Sequence, residues 1–263
     1  MDIKIIIATH KKFWMPEDEI YLPLHVGKKG KPSLGYAGDD TGENISGKNP
    51  NYCELTGIYW AYKNLKADYI GLVHYRRHFT TKPFIIRLFK GKKNCVLSGA
   101  EASEILKDYD IVVPKKRRYF IETNKSHYDH CHHPRDLAET GKIIKEKYPE
   151  YGPYFDKVMN RTYAHMFNMF IMRKPLFDEY CAFIFDVLGE LESRIDISDY
   201  NTYEARVFGF ISERLLDVFI EAKNLKYKEL PAMFMEKQNW FIKIGKFLKR
   251  KLTGGLYADT SKN

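Results

Sequence analysis

The sequence predicts an α/β fold, a sheet flanked by helices, and three observations carry that prediction. Residues 69–73 form a short apolar run with β-branched members and one glycine, the mark of a buried inner strand. Ahead of it, Leu55, Ile58, Tyr59 and Tyr62 recur at helical spacing, and the apolar run 4–8 opens the chain as a first strand. Strand, connection, helix and strand in that order make a βαβ unit.

Each element follows in turn. The first strand breaks at Thr9-His10-Lys11, and residues 16–50, rich in Gly, Pro, Asp and Asn with little periodicity, read as one long functional loop or lid. Asn51 is the cap candidate for a helix over 52–65 that feeds the strand at 69–73. Residues 100–107 read as helix, 109–114 as strand, and 167–172 as a further strand after an irregular, histidine-rich stretch. Helices follow at 175–192 and 203–223, the second with Phe208, Ile211, Leu215, Val218 and Phe219 on one face. Residues 239–252 place Trp240, Phe241, Ile244, Phe247, Leu248 and Leu252 on one helical face, with Lys243, Lys246, Lys249, Arg250 and Lys251 around the rest. That pattern fits an amphipathic helix at an anionic membrane surface, or a terminal helix packed on the core with a solvated basic face. The division expected is a main domain at 1–235 and a basic C-terminal tail at 236–263.

Composition bounds the function. At 263 residues, 44% hydrophobic and 29% charged, the chain has a real core and is no disordered tail. A net charge of +9 predicts attraction to nucleic acid, anionic lipid or phosphorylated substrate without choosing among them. The four cysteines, Cys53, Cys95, Cys131 and Cys181, show no C-x-x-C spacing, which argues against a disulfide framework or zinc ribbon and fits a reducing cytoplasm. The first apolar run meets His10-Lys11-Lys12 too soon for a signal peptide, and no apolar run reaches 18 residues, so neither that secretory route nor a membrane span is expected.

The strand at 69–73 runs into His74, Tyr75, Arg76, Arg77 and His78. Ligands in α/β sheets collect outside the carboxyl ends of strands, and guanidinium groups grip phosphate through paired charged hydrogen bonds, so a diphosphate is the natural guest. The alternative is a solvated strand end or surface ion pair. Ala8, Thr9, His10 and Lys11 end the first strand, where a nucleotide's base and ribose commonly dock. Asn49, Tyr52 and Glu54-Leu-Thr56 open the next helix, whose N–H groups favour phosphate unless Asn51 and Thr56 serve capping alone. Neither a G-x-G-x-x-G nor a P-loop is present, which argues against a dinucleotide or ATPase site. Asp39-Asp40 could ligate metal or contact substrate, or form a plain turn. The cluster of His127, His130, His132 and His133 with Cys131 matches no closed tetrahedral zinc spacing.

Taken together, the blocks Ile5-Ile-Ile-Ala-Thr-His-Lys11, Asn51-Tyr-Cys-Glu-Leu-Thr56, Gly71-Leu-Val-His-Tyr-Arg-Arg77, Phe167-Asn-Met-Phe-Ile-Met172 and the run 206–215 resemble a bacterial family. It is the family of capsular and exopolysaccharide glycosyltransferases long catalogued as a domain of unknown function, and the resemblance spans about residues 3–235. It implies a GT-A-like fold with a mixed, mainly parallel sheet, a UDP-sugar donor bound in the amino-terminal half, and a polyprenyl-linked glycan acceptor. The family includes galactofuranosyltransferase-like members. The implied location is cytoplasmic, peripheral on the inner face of the cell membrane, with the tail outside the matched core.

GT-A enzymes usually end a central strand in Asp-x-Asp, which holds a metal on the donor diphosphate. Here the strand ends in His74-Tyr-Arg-Arg77, so cationic side chains are expected to replace the metal and offset the leaving charge, with no cofactor required. A divalent metal is the less favoured arrangement. Inverting transfer needs a general base; Glu122, Asp129, Glu204 and Glu213 are the candidates, with Glu213 and Asp129 preferred. Glu213 could equally form structural ion pairs with Arg206 and Arg214. His130 and Asp136 match family positions, and His130, Asn168 and Arg206 are expected at the substrate. The rival readings are a sugar nucleotidyltransferase, whose glycine-rich phosphate loop is missing, a nucleic-acid-binding protein without a recognised motif, and a non-catalytic membrane scaffold.

Overall fold

The computed structural model describes residues 1–236, so the expected helix at 239–252 lies outside the described residues. In chain order the first half holds β1 (Ile3–Thr9), β2 (Tyr21–His25), β3 (Ala37–Gly38), α1 (Asn49–Tyr52), α2 (Leu55–Asn64), β4 (Tyr69–His74), β5 (Arg77–Phe79), α3 (Phe84–Lys90) and α4 (Gly99–Ile105). The second holds β6 (Ile111–Pro114), β7 (Arg117–Arg118), α5 (Asn124–Cys131), α6 (Pro134–Lys147), α7 (Gly152–Asn160), β8 (Tyr163–Ala164), β9 (Phe170–Arg173), α8 (Lys174–Arg194), α9 (Val207–Ala222), β10 (Tyr227–Leu230) and β11 (Ala232–Phe234).

The main sheet runs β10-β6-β9-β4-β1-β2-β3. β1 pairs in parallel with β2 and β4, and β6 with β10, while β9 runs antiparallel to both β4 and β6. The result is the mixed, mainly parallel α/β sheet that the sequence predicts. Alternation sorts the strand side chains between two cores. Ile6, Leu72, Val113 and Phe170 meet α2, α6, α8 and α9 on one face, whereas Ile5, Ile7, Val73 and Ile171 meet Leu97 and Ala102 on the other. Gly71 sits mid-strand because a Cβ there would lie 2.8 Å from the Phe170 carbonyl oxygen.

The structure differs from the sequence reading in four places. The expected loop at 16–50 contains β2 and β3, whose order comes from parallel pairing of β2 to β1 and of β3 to β2 rather than from local periodicity that Pro23 interrupts. The histidine-rich stretch is helical, as α5, α6 and α7 bury Tyr128, Leu137, Ile143, Ile144, Phe155 and Val158. The helix expected at 52–65 is broken at Cys53, which has φ +53°, and Asn51 is not its cap but donates from Nδ2 to the Ala205 carbonyl at 2.8 Å. The strand expected from 167 begins only at Phe170, because Phe167 and Asn168 turn through the left-handed region at φ +80° and +52°.

Candidate functional site

The carboxyl ends of β1 and β4 and the entry to the antiparallel β9 lie along one edge of the sheet, and they border a cleft of about 1080 Å³. The tight connection from β4 to β5 presents the two arginines there. Arg77 lies 4.4 Å over the Phe167 ring and 5.3 Å over the Phe234 ring, and its buried Nε has no hydrogen-bond partner among the described residues. Two aromatic faces therefore fix a guanidinium that retains an unused donor. Arg76 lies 5.1 Å over the Tyr75 ring and pairs with Glu236 at 3.3 Å, half exposed and free to exchange that partner. His10 and Lys31 line the same end, and burial with the nearby Arg76 charge pulls the His10 pKa down. The site is cationic where the strand ends.

The cleft floor rests on the turn at Phe167 and Asn168. Left-handed backbone costs a non-glycine residue about 1–3 kcal/mol, so surrounding bonds must hold it. Here they do: His74 Nε2–H donates to the Phe167 carbonyl at 2.7 Å, and the Phe167 N–H donates to Glu213 Oε1 at 3.0 Å. Asn168 Nδ2 donates to Glu54 Oε1 at 2.8 Å, and its Oδ1 accepts from the Ser212 hydroxyl at 2.9 Å. One strained turn thus positions Glu54, His74 and Glu213 together. Burial pushes the Glu213 carboxyl up to about 7, with Arg214 opposing and the Glu54 charge adding to the rise. A carboxyl with that pKa takes and returns protons at neutral pH.

The opposite wall is aromatic. His132 stacks on Phe210 at 4.2 Å, and burial followed by the Arg214 charge pushes its pKa down to about 3, so the ring is neutral at physiological pH. Arg206 lies 5.5 Å over the same Phe210 ring and donates from Nε to Cys53 Sγ at 3.1 Å. Burial pushes the Cys53 thiol up to about 11, which removes it as a nucleophile at neutral pH.

Of the residues singled out in the sequence, Ala8, His10, Asn49, His74, Tyr75, Arg76, Arg77, Arg206 and Glu213 line this cleft. Cys53, His127, Cys131 and His132 line it too, whereas the other candidate donor, substrate and base residues lie outside its lining. Thr9 is buried and donates to the Lys11 carbonyl at 2.6 Å, while Lys11 sits 5.4 Å over the Tyr75 ring. Tyr52 is a core residue stacked on Phe208 and donating to Glu192 at 3.0 Å. Asp39 is buried, accepting from the Gly27 and Lys28 N–H groups and the Ser46 and Thr56 hydroxyls, and it anchors the segment before α1. Asp40 pairs with Lys28 at 3.6 Å, and Asp129 with Lys125 at 2.5 Å. His130 is exposed and shares Glu122 with His127, while Glu204 lies 3.5 Å from His133. Asn168 stands behind the cleft and holds Glu54, and Asp136 is buried beneath the Tyr200 hydroxyl at 2.9 Å.

Arg117 lines the cleft and drew no attention in the sequence, while Glu54, His132 and Arg214, read there only as part of a helix opening, a member of the histidine cluster and an ion-pair partner, line it as well. The only sequence signal for Glu54 is its place inside the block 51–56 beside the arginine-bearing strand. Among the described residues no group of three or more His, Cys, Asp or Glu converges as metal ligands do. The end of β4 itself carries guanidinium groups, and the carboxylates of Glu54 and Glu213 lie on the turn beside it.

Residues 4–225 match the family described as a domain of unknown function, DUF4422. No curated protein matches the chain. The solved apo structure of WbbM, a bifunctional glycosyltransferase, is similar at a TM-score of 0.82 and 34% identity, covering 90% of this chain and 46% of that one. This chain therefore spans about half the length of that protein. With the family model matched over most of its length, the chain belongs to the DUF4422 family.

Proposed function

We propose that the chain is a glycosyltransferase that moves a hexose from a UDP-sugar to a lipid-linked capsular or exopolysaccharide intermediate. The observation that carries the reading is the arginine pair at the end of β4, facing a cleft that also holds the proton-active Glu213. Similarity to WbbM, a bifunctional glycosyltransferase, supports it. Galactofuranose is the sugar that the family resemblance brings forward.

In this reading Arg76 and Arg77 hold the donor diphosphate and neutralise charge as the sugar–phosphate bond breaks. His10 and Lys31 extend the same cationic end. The stacked pair of His132 and Phe210, with Arg206 beside it, lines the cleft and offers a sugar an aromatic wall. Glu213 takes the proton from the attacking acceptor hydroxyl, and its pKa near 7 matches the working pH of a general base. Displacement from the face opposite the leaving diphosphate inverts the anomeric centre.

The test is calorimetric titration of the wild type and Arg76→Ala with UDP, GDP and UDP-hexoses, each with Mn²⁺ and with EDTA. UDP binding that survives EDTA and weakens about tenfold or more in Arg76→Ala is the expected result. Absence of nucleotide binding under every condition would overturn the assignment.

A further inference from the structure

α3 is the most exposed apolar element among the described residues. Phe84, Ile85, Leu88 and Phe89 are 69%, 64%, 69% and 83% exposed, and no residue of this helix is buried. A soluble protein that leaves such a cluster bare loses the burial each side chain would otherwise gain, so the cluster marks an interaction surface. Its stretch of chain is cationic: Arg87 and Lys90 lie on it and Lys82, Lys92 and Lys93 flank it, with Lys82 paired to Glu101 at 2.7 Å and no acidic residue between those two.

The segment just after the helix reaches toward the cleft. The helix follows β5, which carries Arg77, and Lys92 Nζ donates to the Phe234 carbonyl at 2.5 Å and the Glu236 carbonyl at 3.3 Å. Glu236 in turn pairs with Arg76. A second apolar tip leaves the same edge of the sheet after β6, where Phe120 and Ile121 are 83% and 89% exposed directly behind Lys115, Lys116, Arg117 and Arg118. Phe120 is held in the left-handed region at φ +63°. Arg117 lines the cleft.

We propose that α3, assisted by the Phe120–Ile121 tip, inserts into an anionic lipid bilayer and seats the cleft mouth on the membrane surface. Phenylalanine, isoleucine and leucine enter the interface while the flanking lysines and arginines meet anionic headgroups. Charge decides between this partner and residues 237–263 of the same chain. That segment is itself rich in lysine, so laying it over α3 would oppose like charges, whereas a bilayer satisfies both. The inference deepens the proposed function by giving a lipid-linked acceptor a route to the cleft, but membrane attachment is measured without any transfer reaction.

The experiment is flotation of the full chain with phosphatidylcholine vesicles, with and without phosphatidylglycerol, for wild type, Phe84→Asp/Phe89→Asp and Phe89→Trp. Wild type floats with the anionic vesicles, and the double aspartate variant loses roughly 100-fold in partitioning. Phe89→Trp fluorescence shifts to the blue on anionic vesicles and is quenched by brominated lipid. Calorimetry with UDP serves as the independent control, because the aspartate variant keeps the nucleotide site. Unchanged flotation of the double variant, no flotation of wild type, or tryptophan emission indifferent to vesicles would overturn the inference. So would a wild-type dimer that the aspartates dissociate. Lost UDP binding with flotation intact would instead count against the glycosyltransferase reading alone.

Discussion

Glu213→Gln tests the chemistry and the physics of the cleft at once. The amide keeps an oxygen to accept the Phe167 N–H, now 3.0 Å from Glu213, and removes only the ionisable proton. Burial holds the carboxyl at about 7, against an ordinary 4.5. Because the folded value lies above the unfolded one, this group's contribution to stability is complete below pH 4.5 and is lost as pH rises through 7. The rise corresponds to about 3 kcal/mol lost at pH 8, a cost that an uncharged amide avoids. Glu213→Gln should therefore melt roughly 6 °C or more above wild type at pH 8 and level with it at pH 4.5, read by thermal unfolding across that range. Transfer, read as UDP release from donor and acceptor, should fall by roughly 10²–10⁴. The wild-type rate should climb with pH to a plateau just above 7. A melting difference that does not change with pH would refute the buried-carboxyl argument, and near-wild-type transfer by the variant would refute its role as base.

Two further outcomes follow from the packing. Gly71→Ala drives a Cβ to 2.8 Å from the Phe170 carbonyl and 2.9 Å from Ile171, and neither the backbone nor a buried branched side chain can retreat far, so a loss of about 2–4 kcal/mol is expected in denaturant unfolding. His165 is buried with Nδ1 2.5 Å from Asp217 and Nε2 3.0 Å from Glu229; burial opposes its protonation, but the two carboxylates outweigh burial and raise its pKa above 6.5. Its contribution is full below pH 6.5 and lost as pH rises through the higher folded value, so in the Glu213→Gln background the melting temperature should still decline above pH 6.5. Adding His165→Gln should remove that decline.

The fold class was legible in the sequence because each inner strand and each long helix carries its own periodicity. The apolar run through Tyr69–His74 and the one-sided helix Val207–Ala222 announce themselves within a few residues. The arginine pair was legible for the same reason: a strand's end fixes where the next two side chains go. β2 was hidden, since its order depends on β1, 12 residues or more away in the chain, and not on its own pattern. The helices of the histidine-rich stretch were missed where polar and aromatic residues blur the apolar stripe.

The site divides along the same line. Local sequence determined that cations would stand at the end of β4, and it brought His10 and Glu213 forward as candidates. Only the tertiary structure decided that Asp39 would turn inward to four donors, while Glu54, read in the sequence only as part of a helix opening, would line the cleft held by Asn168. It also decided the proton affinity of Glu213, because desolvation and the charges of Glu54 and Arg77, which act beside that of the adjacent Arg214, come from segments far apart in the chain. A residue's type and neighbours in sequence set what it can do, whereas the dielectric and the charges around it, which set what it does at neutral pH, exist only once the chain has folded.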